Sequence, residues 1–450
     1  MRIGLIAMSG IRAASEELNK VGLTLPGVVE RSQVIASMPS LGLLTLAALT
    51  PPEFELSYHE IADLRREPAL PDGFDLVAIA SFSGQIFDAY AVADQYRARG
   101  VPVVLGGLHV SRLPEEAAEH CDAVVIGEGE LSWPRLLADW KAGRLQPRYA
   151  PIPGEEFDLA NAPMPRYELL DMPRYNRITV QTTRGCPHAC EFCASSILLT
   201  PGYKRKPAAK VMAEIRRVRE LWPKPFIEFA DDNSFVDKRH AREILQALSA
   251  DPVPWFTEAD ISIAEDPGLL DLVRASGCRQ LLIGLESPTG AGLDGIERRT
   301  NWKLRQLDRY EAGVRRIQAH GVTVNGCFIL GLDGDTEAAF DAIYDFVART
   351  NLFEVQITVL TPFPGTPLYD RLLKAGRIID PGAWNKCTLF DVNFVPQNVS
   401  PQRLQQGLVD LAKRLYHPDF VHDRRERYID ELRRNGLRPP LGMVREPVAN

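Results

Sequence analysis

Three cysteines, Cys186, Cys190 and Cys193, fall in the stretch TTRGCPHACEFCASS of residues 182–196, in a chain with seven cysteines in all. Thiolates spaced C-x3-C-x2-C can reach three corners of a cubane iron-sulfur cluster, and Gly185 and Pro187 suit the tight loop that such wrapping needs. A protein-held cluster ordinarily takes four thiolates, so one iron is left to bind something else. Zinc competes as the metal, but a structural zinc wants four N or S ligands in paired short spacings. No second Cys/His pair stands at such a spacing downstream, and His188 lies inside the loop, too close to its neighbours to act easily as a fourth ligand. Cysteines that merely pack would alternate into a core, whereas these crowd a polar loop.

The flanks must position that loop. From Arg177 the chain runs through six strand-like stretches, RITVQTT, FIEFADD, WFTEADIS, QLLIGLES, TVNGCFILGL and FEVQITVLTPF. Helical patterns separate them, such as residues 208–221, where Val211, Ile215 and Val218 share one face. Six βα-type units predict a parallel barrel or a partly closed one, with the cysteine loop directly after its first strand. In such barrels chemistry collects at the C-terminal strand ends, where loops converge and helix N-termini turn their N–H groups inward. Those ends carry Asp231, Asp232 and Asn233, then Glu258 and Asp260, then Glu286 and Ser287. Asp232 or Asn233 would equally cap the helix that follows.

The stretch TRGCPHACEFCA resembles the radical S-adenosylmethionine (SAM) enzymes, and the resemblance covers roughly residues 177–363. It implies that Cys186, Cys190 and Cys193 hold a 4Fe-4S cluster whose open iron chelates the amino and carboxylate groups of SAM. One electron then cleaves SAM to methionine and a 5'-deoxyadenosyl radical. Phe192 matches the family position that packs near the adenine. The ammonium, carboxylate, ribose and adenine of SAM call for acceptors, which the resemblance assigns to Asp231, Asp232, Asn233, Glu258, Asp260 and Glu286. The sequence ADDN stands where the family more often carries a Gly-Gly-Glu that grips the methionyl ammonium. GCFILGL, residues 326–332, resembles the family's G-x-I-x-G strand and places Gly331 beside the adenine, although a buried strand with glycines reads the same way.

Residues 1–142 alternate β-type runs with helical patterns, the signature of a Rossmann-like, doubly wound parallel sheet. The expected strands are RIGLIAM, FELSYHEI, FDLVAIAS, VPVVLGG and DAVVIGE, with a helix over 85–100 ending at Gly100. Doubly wound sheets bind ligands at the carboxyl ends of their strands. Here those ends read Ser81, Phe82, Ser83, then Gly106, Gly107, His109, then Gly127, Glu128, Gly129, which suggests one shared surface. Alone, that surface would suit a nucleotide or flavin. Together with the cysteine loop, SFS, GGLH and GEGE in this order resemble the cobalamin-binding radical SAM subgroup, and those nine residues are the implied cobalamin contacts. Many cobalamin domains carry D-x-H-x-x-G after the first strand, whereas this chain has MSGIRAASEELN, without a histidine. The lower cobalt face would then be five-coordinate or met by water or another side chain. A relic domain that packs and binds nothing is the competing reading.

The organisation expected is therefore α/β: a Rossmann-like domain over 1–142, a Pro-rich linker over 143–176, a partial (βα)6 TIM-type barrel over 177–363 and a mostly helical C-terminal region over 364–450. A helical stretch is expected from Pro401 to about Arg434, and the last residues, RPPLGMVREPVAN, as poorly ordered. Cys121, Cys278 and Cys327 sit in or beside apolar strands and read as packing residues, as does His59 in its edge-like strand. Cys387 is less clearly buried by its context. Net charge −7 and pI near 5.7 disfavour nucleic acid as substrate. No membrane span or signal segment is legible, and free thiols fit the cytoplasm. The expected partners are a small molecule, such as a secondary-metabolite or cofactor precursor, and an electron donor such as flavodoxin or ferredoxin. The leading expectation is hydrogen abstraction from an unactivated carbon followed by methylation from methylcobalamin. The alternatives are a cyclase, rearrangement or oxidation enzyme without methyl transfer, and a non-catalytic Fe-S or cobalamin sensor or assembly protein.

Overall fold

Continuous apolar runs such as LVAIA and VVLG are too short for helices and apolar at every position, which demands cover on both faces. The computed structural model describes residues 1–10, 13, 38–66, 69–194 and 202–437. It forms these runs into β1 (Arg2–Met8), β2 (Glu55–Ile61), β3 (Leu76–Ala80), β4 (Val103–Gly106), β5 (Ala123–Val125) and β6 (Arg148–Tyr149). They make one parallel sheet in the order β2-β1-β3-β4-β5-β6. Val77 and Ile79 bury into one apolar layer with Tyr90, Ala93 and Leu105, while Leu76 and Ala78 bury into the other with Val104, Trp133 and Leu136. That two-sided burial is what a doubly wound sheet requires. The helix expected over 85–100 is Ile86–Ala98, and Gly100 follows it at φ +77, where only glycine is unstrained.

The described residues fall into two compact units. The first runs up to Asp232 and takes in Thr361–Val395; the second holds Asn233–Leu360 and the residues from Pro396 onward. Besides the six-stranded sheet, the first unit contains β7 (Ile178–Val180) with β8 (Thr183–Arg184), β9 (Lys204–Arg205) and β10 (Ile227–Phe229). β7 and β10 pair in parallel, and β8 and β9 pair antiparallel. The second unit carries β11 (Trp255–Ala259), β12 (Cys278–Glu286), β13 (Thr323–Leu330) and β14 (Glu354–Val359), each parallel to the next. Amphipathic helices Pro267–Ala275, Tyr310–Ala319 and Ala338–Thr350 connect them. All six strands expected after Arg177 are thus present.

The segment 143–176, expected to be linker alone, contributes β6 to the first sheet and three 3-10 turns, Leu159–Asn161, Tyr167–Leu169 and Met172–Arg174. A two-residue edge strand is too short to show any period. The expected C-terminal helical stretch is two helices, Pro401–Leu415 and Pro418–Arg434, because a proline cannot donate to the turn before it. Residues 438–450, and most of MSGIRAASEELN, lie outside the described residues.

Candidate active site and cofactor surfaces

The cysteine loop leaves β8 through Gly185, whose φ of +89 is a conformation that a side chain would strain. Cys190 is buried and Cys186, Cys193 and Phe192 are partly buried, with the Cys193 N–H donating to the Cys190 carbonyl at 3.1 Å. Among the described residues no three His, Cys, Asp or Glu converge on a single metal ion. A cubane asks for something else, since its thiolates bind different irons at separate corners.

Two aspartates hold the start of this loop. Asp231 is 4% exposed; Oδ1 accepts the Thr182 and Thr183 N–H groups at 2.8 and 2.9 Å, and Oδ2 accepts the Thr182 hydroxyl. Asp232 Oδ2 accepts the Gly185 N–H at 2.8 Å. The carboxylates expected to face SAM thus have oxygens committed to the backbone that carries the cysteines. On its far side the loop is tied to the helix Pro367–Lys374: the Glu191 carbonyl accepts the Leu368 N–H at 3.0 Å, and Glu191 pairs with Arg371. The Glu191–Arg371 pair spans 180 residues, and nothing local in the sequence announces it.

The other expected SAM residues belong to the second unit. Asn233 Nδ2 donates to Asp260 Oδ2 at 2.8 Å, and Asp260 Oδ1 caps the 3-10 helix Ile261–Glu265 through the Ser262 N–H at 2.8 Å. Capping of the helix that follows, Lys238–Ser249, weighed for Asp232 or Asn233, falls instead to Asp237, whose Oδ1 accepts the Arg239 and His240 N–H groups at 3.0 Å each. Glu258 is exposed at the end of β11. Glu286 ends β12 in the left-handed region, φ +64, and its carboxylate pairs with the buried Lys303 ammonium at 3.0 Å. Lys303 also donates to the Gly284 carbonyl. Sequence reading missed Lys303, which sits in the short helix Trp302–Gln306 with no motif around it. Cys327, read as a packing residue, faces the same group: burial pushes its thiol far above the ordinary value, Glu286 and Glu258 push it further, and Lys303 opposes them. Cys278 is fully buried packing, and in the first unit Cys121 and Cys387 likewise pack in the core.

Gly331, φ +88, donates its N–H to Asp335 Oδ2 at 3.0 Å, as does Leu332 at 3.1 Å. Desolvation raises the Asp335 carboxyl to about 7 against these two N–H groups, which lower it. The folded state therefore prefers the neutral acid. As pH rises from about 4 to about 7, the unfolded chain ionises while the fold resists, and stability falls by roughly 4 kcal/mol at most. Asp335→Asn should remove that slope, so its melting temperature relative to wild type should rise across this range. Parallel pH profiles would contradict the assignment.

In the first unit, β3, β4 and β5 are neighbours, and their C-terminal ends carry the expected cobalamin residues. Phe82 is 54% exposed, and Gly106, Gly107, Gly127 and Gly129 present backbone without side chains. Gly107 and Gly127 hold φ +108 and +70, and a Cβ on Gly107 would stand 3.4 Å from the Ser81 carbonyl. Strand ends that carry glycine where a side chain would meet Val125, the Ser81 carbonyl, Pro151 or Leu46, beside an exposed aromatic, fit the close approach of a large flat cofactor. The side chains of Ser83, His109 and Glu128 are engaged elsewhere. His109 is buried, with Nδ1 3.0 Å from Ser83 Oγ and Nε2 3.3 Å from Glu116, which also accepts from Tyr90 and Trp384. Glu128 faces the cysteine loop: Oε1 accepts from Arg184 Nη1 and Lys204 Nζ, each at 2.9 Å.

A doubly wound sheet with glycine-lined strand ends, followed by a three-cysteine loop at the start of a second run of parallel strands, defines an α/β enzyme with two cofactor-binding regions. Residues 38–137 match the B12 binding domain family, residues 180–347 the Radical SAM superfamily, and residues 366–446 a Domain of unknown function (DUF4070). The chain belongs to the cobalamin-binding radical SAM enzymes, with a 4Fe-4S cluster, SAM and cobalamin as cofactors. It is 28% identical over 431 residues to bacteriochlorophyllide d C-12(1)-methyltransferase of Chlorobaculum tepidum, covering 92% of this chain and 91% of that one. The C-8(2)-methyltransferase of the same organism is 29% identical, over 75% of this chain and 76% of its own. In fold the chain is similar to the radical SAM methyltransferase TsrM from Kitasatospora setae, with TM-score 0.65 at 17% identity, covering 83% of this chain and 78% of TsrM. Among the described residues no helix is long and apolar enough to cross a membrane.

Proposed function

We propose that this enzyme removes hydrogen from an unactivated carbon of a small molecule and methylates that carbon. The observation that carries the proposal is the three-cysteine loop and the glycine-lined strand ends of β3, β4 and β5 in one compact unit. When bound, the cluster supplies reductive cleavage of SAM, and the cobalamin supplies a methyl group that a carbon radical captures. Cys186, Cys190 and Cys193 are the cluster ligands. Phe192, Asn233, Glu258, Glu286 and the Gly331 backbone are the SAM contacts, while Asp231 and Asp232 hold the loop. Lys303 pairs with the Glu286 carboxylate and orients it. Ser81, Phe82, Gly106, Gly107, Gly127 and Gly129 form the cobalamin surface. Methyl transfer is favoured over cyclisation because the two relatives described above, at 28% and 29% identity, are named methyltransferases. Reducing equivalents come from flavodoxin or ferredoxin in the cytoplasm, where thiols stay reduced.

The test uses anaerobically reconstituted protein with SAM, a reductant and hydroxocobalamin. Bacteriochlorophyllide d is the first defined probe, and a small-molecule extract the second. Methyl transfer requires S-adenosylhomocysteine and 5'-deoxyadenosine in comparable amounts. 5'-Deoxyadenosine alone would contradict methyl transfer, and neither product would contradict catalysis.

A further inference from the structure

The two glutamates of GEGE do not point along the open strand ends. Glu128 Oε1 accepts Arg184 Nη1 at 2.9 Å and Lys204 Nζ at 2.9 Å, and Oε2 accepts Lys204 Nζ at 2.8 Å and the Phe157 N–H at 3.2 Å. Glu130 Oε1 accepts Arg184 Nη2 at 2.6 Å. The same guanidinium is braced by Gln181 Oε1, at 3.0 and 3.3 Å. The four charged side chains are 17%, 12%, 9% and 9% exposed for Arg184, Lys204, Glu128 and Glu130. Charges so shielded and hydrogen-bonded to one another hold their geometry far better than surface pairs.

The placement of the two cations gives the cluster of charges its meaning. Arg184 and Lys204 are register partners in the β8–β9 ladder, which closes the base of the segment carrying Cys186, Cys190 and Cys193. The two anions stand at the start of the helix Gly129–Lys141, immediately after β5 and Gly127. Two cations from the foot of the cluster loop therefore close on two anions from the rim of the cobalamin surface. Burial alone would raise the Glu128 carboxyl, but Lys204, the Phe157 N–H and Arg184 outweigh it and hold the group below its usual range.

We propose that Arg184 and Lys204, gripped by Glu128 and Glu130, are positioning residues that fix the separation of the cluster loop and the cobalamin surface. The proposal rests on the two-cofactor reading above. The clasp sets how far a substrate carbon must travel, or how it must be oriented, between hydrogen loss at SAM and methyl capture at cobalt. Its loss therefore uncouples the two steps without removing either cofactor.

The test is pulsed electron paramagnetic resonance on full-length protein loaded with cluster and cobalamin, measuring the dipolar coupling between the reduced cluster and cob(II)alamin. Wild type should give one narrow distance distribution. Lys204→Gln and Arg184→Lys should both retain about four irons and bound cobalamin, yet give a broadened or lengthened distribution. In parallel, the ratio of 5'-deoxyadenosine to S-adenosylhomocysteine should rise above that of wild type. Should Lys204→Gln fail to fold, Arg184→Lys alone decides, because it keeps the charge and loses only the fork. A distribution as narrow as wild type, at the same distance, would overturn the proposal. Failure of wild type to take up cluster or cobalamin would instead sink the underlying reading, and it is seen before any variant is compared.

Discussion

Alanine in place of Cys190 is expected to bring iron content from about four per chain to background and to abolish SAM cleavage. Cys190 is the middle ligand and the most buried of the three, and its carbonyl accepts the Cys193 N–H, a contact that the substitution keeps. The change therefore removes a thiolate while leaving the turn. Two remaining thiolates cannot both hold a cubane and leave one iron vacant for SAM. Cys121→Ala is the control: that thiol is packed in the core of the first sheet, and its loss should leave iron content and SAM cleavage as in wild type. Iron assay and 5'-deoxyadenosine release read both variants. Retained cleavage in the Cys190 variant would refute the ligand assignment.

The second large effect belongs to Asp231. It is a short side chain accepting two backbone N–H groups and a hydroxyl, all at the entrance to the cluster loop. Asp231→Ala strands three buried donors, each worth roughly 1–3 kcal/mol when unsatisfied, so a loss on the order of 5 kcal/mol is expected. Thermal unfolding should shift down sharply, and cluster loading should fall with it. Asp231→Asn retains one acceptor oxygen and should recover part of both. An alanine variant with wild-type melting and only a raised KM for SAM would show instead that Asp231 faces the cosubstrate.

The contrast between these two residues marks where sequence stopped being legible. Ligand type and spacing at Cys186, Cys190 and Cys193 are local, so the chemistry they imply can be read without a fold. Strands such as LVAIA and VVLG were equally readable, because burial on both faces leaves every position apolar. The roles of Asp231, Glu128 and His109 were not, since each is decided by partners far along the chain. Asp231 meets Thr182 49 residues away, Glu128 meets Lys204 76 away, and His109 meets Ser83 26 away. A strand-end acid looks the same in sequence whether it grips a ligand or pins a loop. Lys303 was hidden for the same reason, as only its reach to Glu286 distinguishes it from a solvated lysine. The edge strand β6 escaped because two residues carry no period.

The central claim is a cubane held at three corners with its fourth iron open to SAM. Mössbauer spectroscopy of isotope-enriched, anaerobically reconstituted protein tests it directly, before and after SAM is added. One iron site of the four should differ from the rest and change its parameters when SAM binds. Four sites that ignore SAM, or a spectrum without a cubane, would contradict the account.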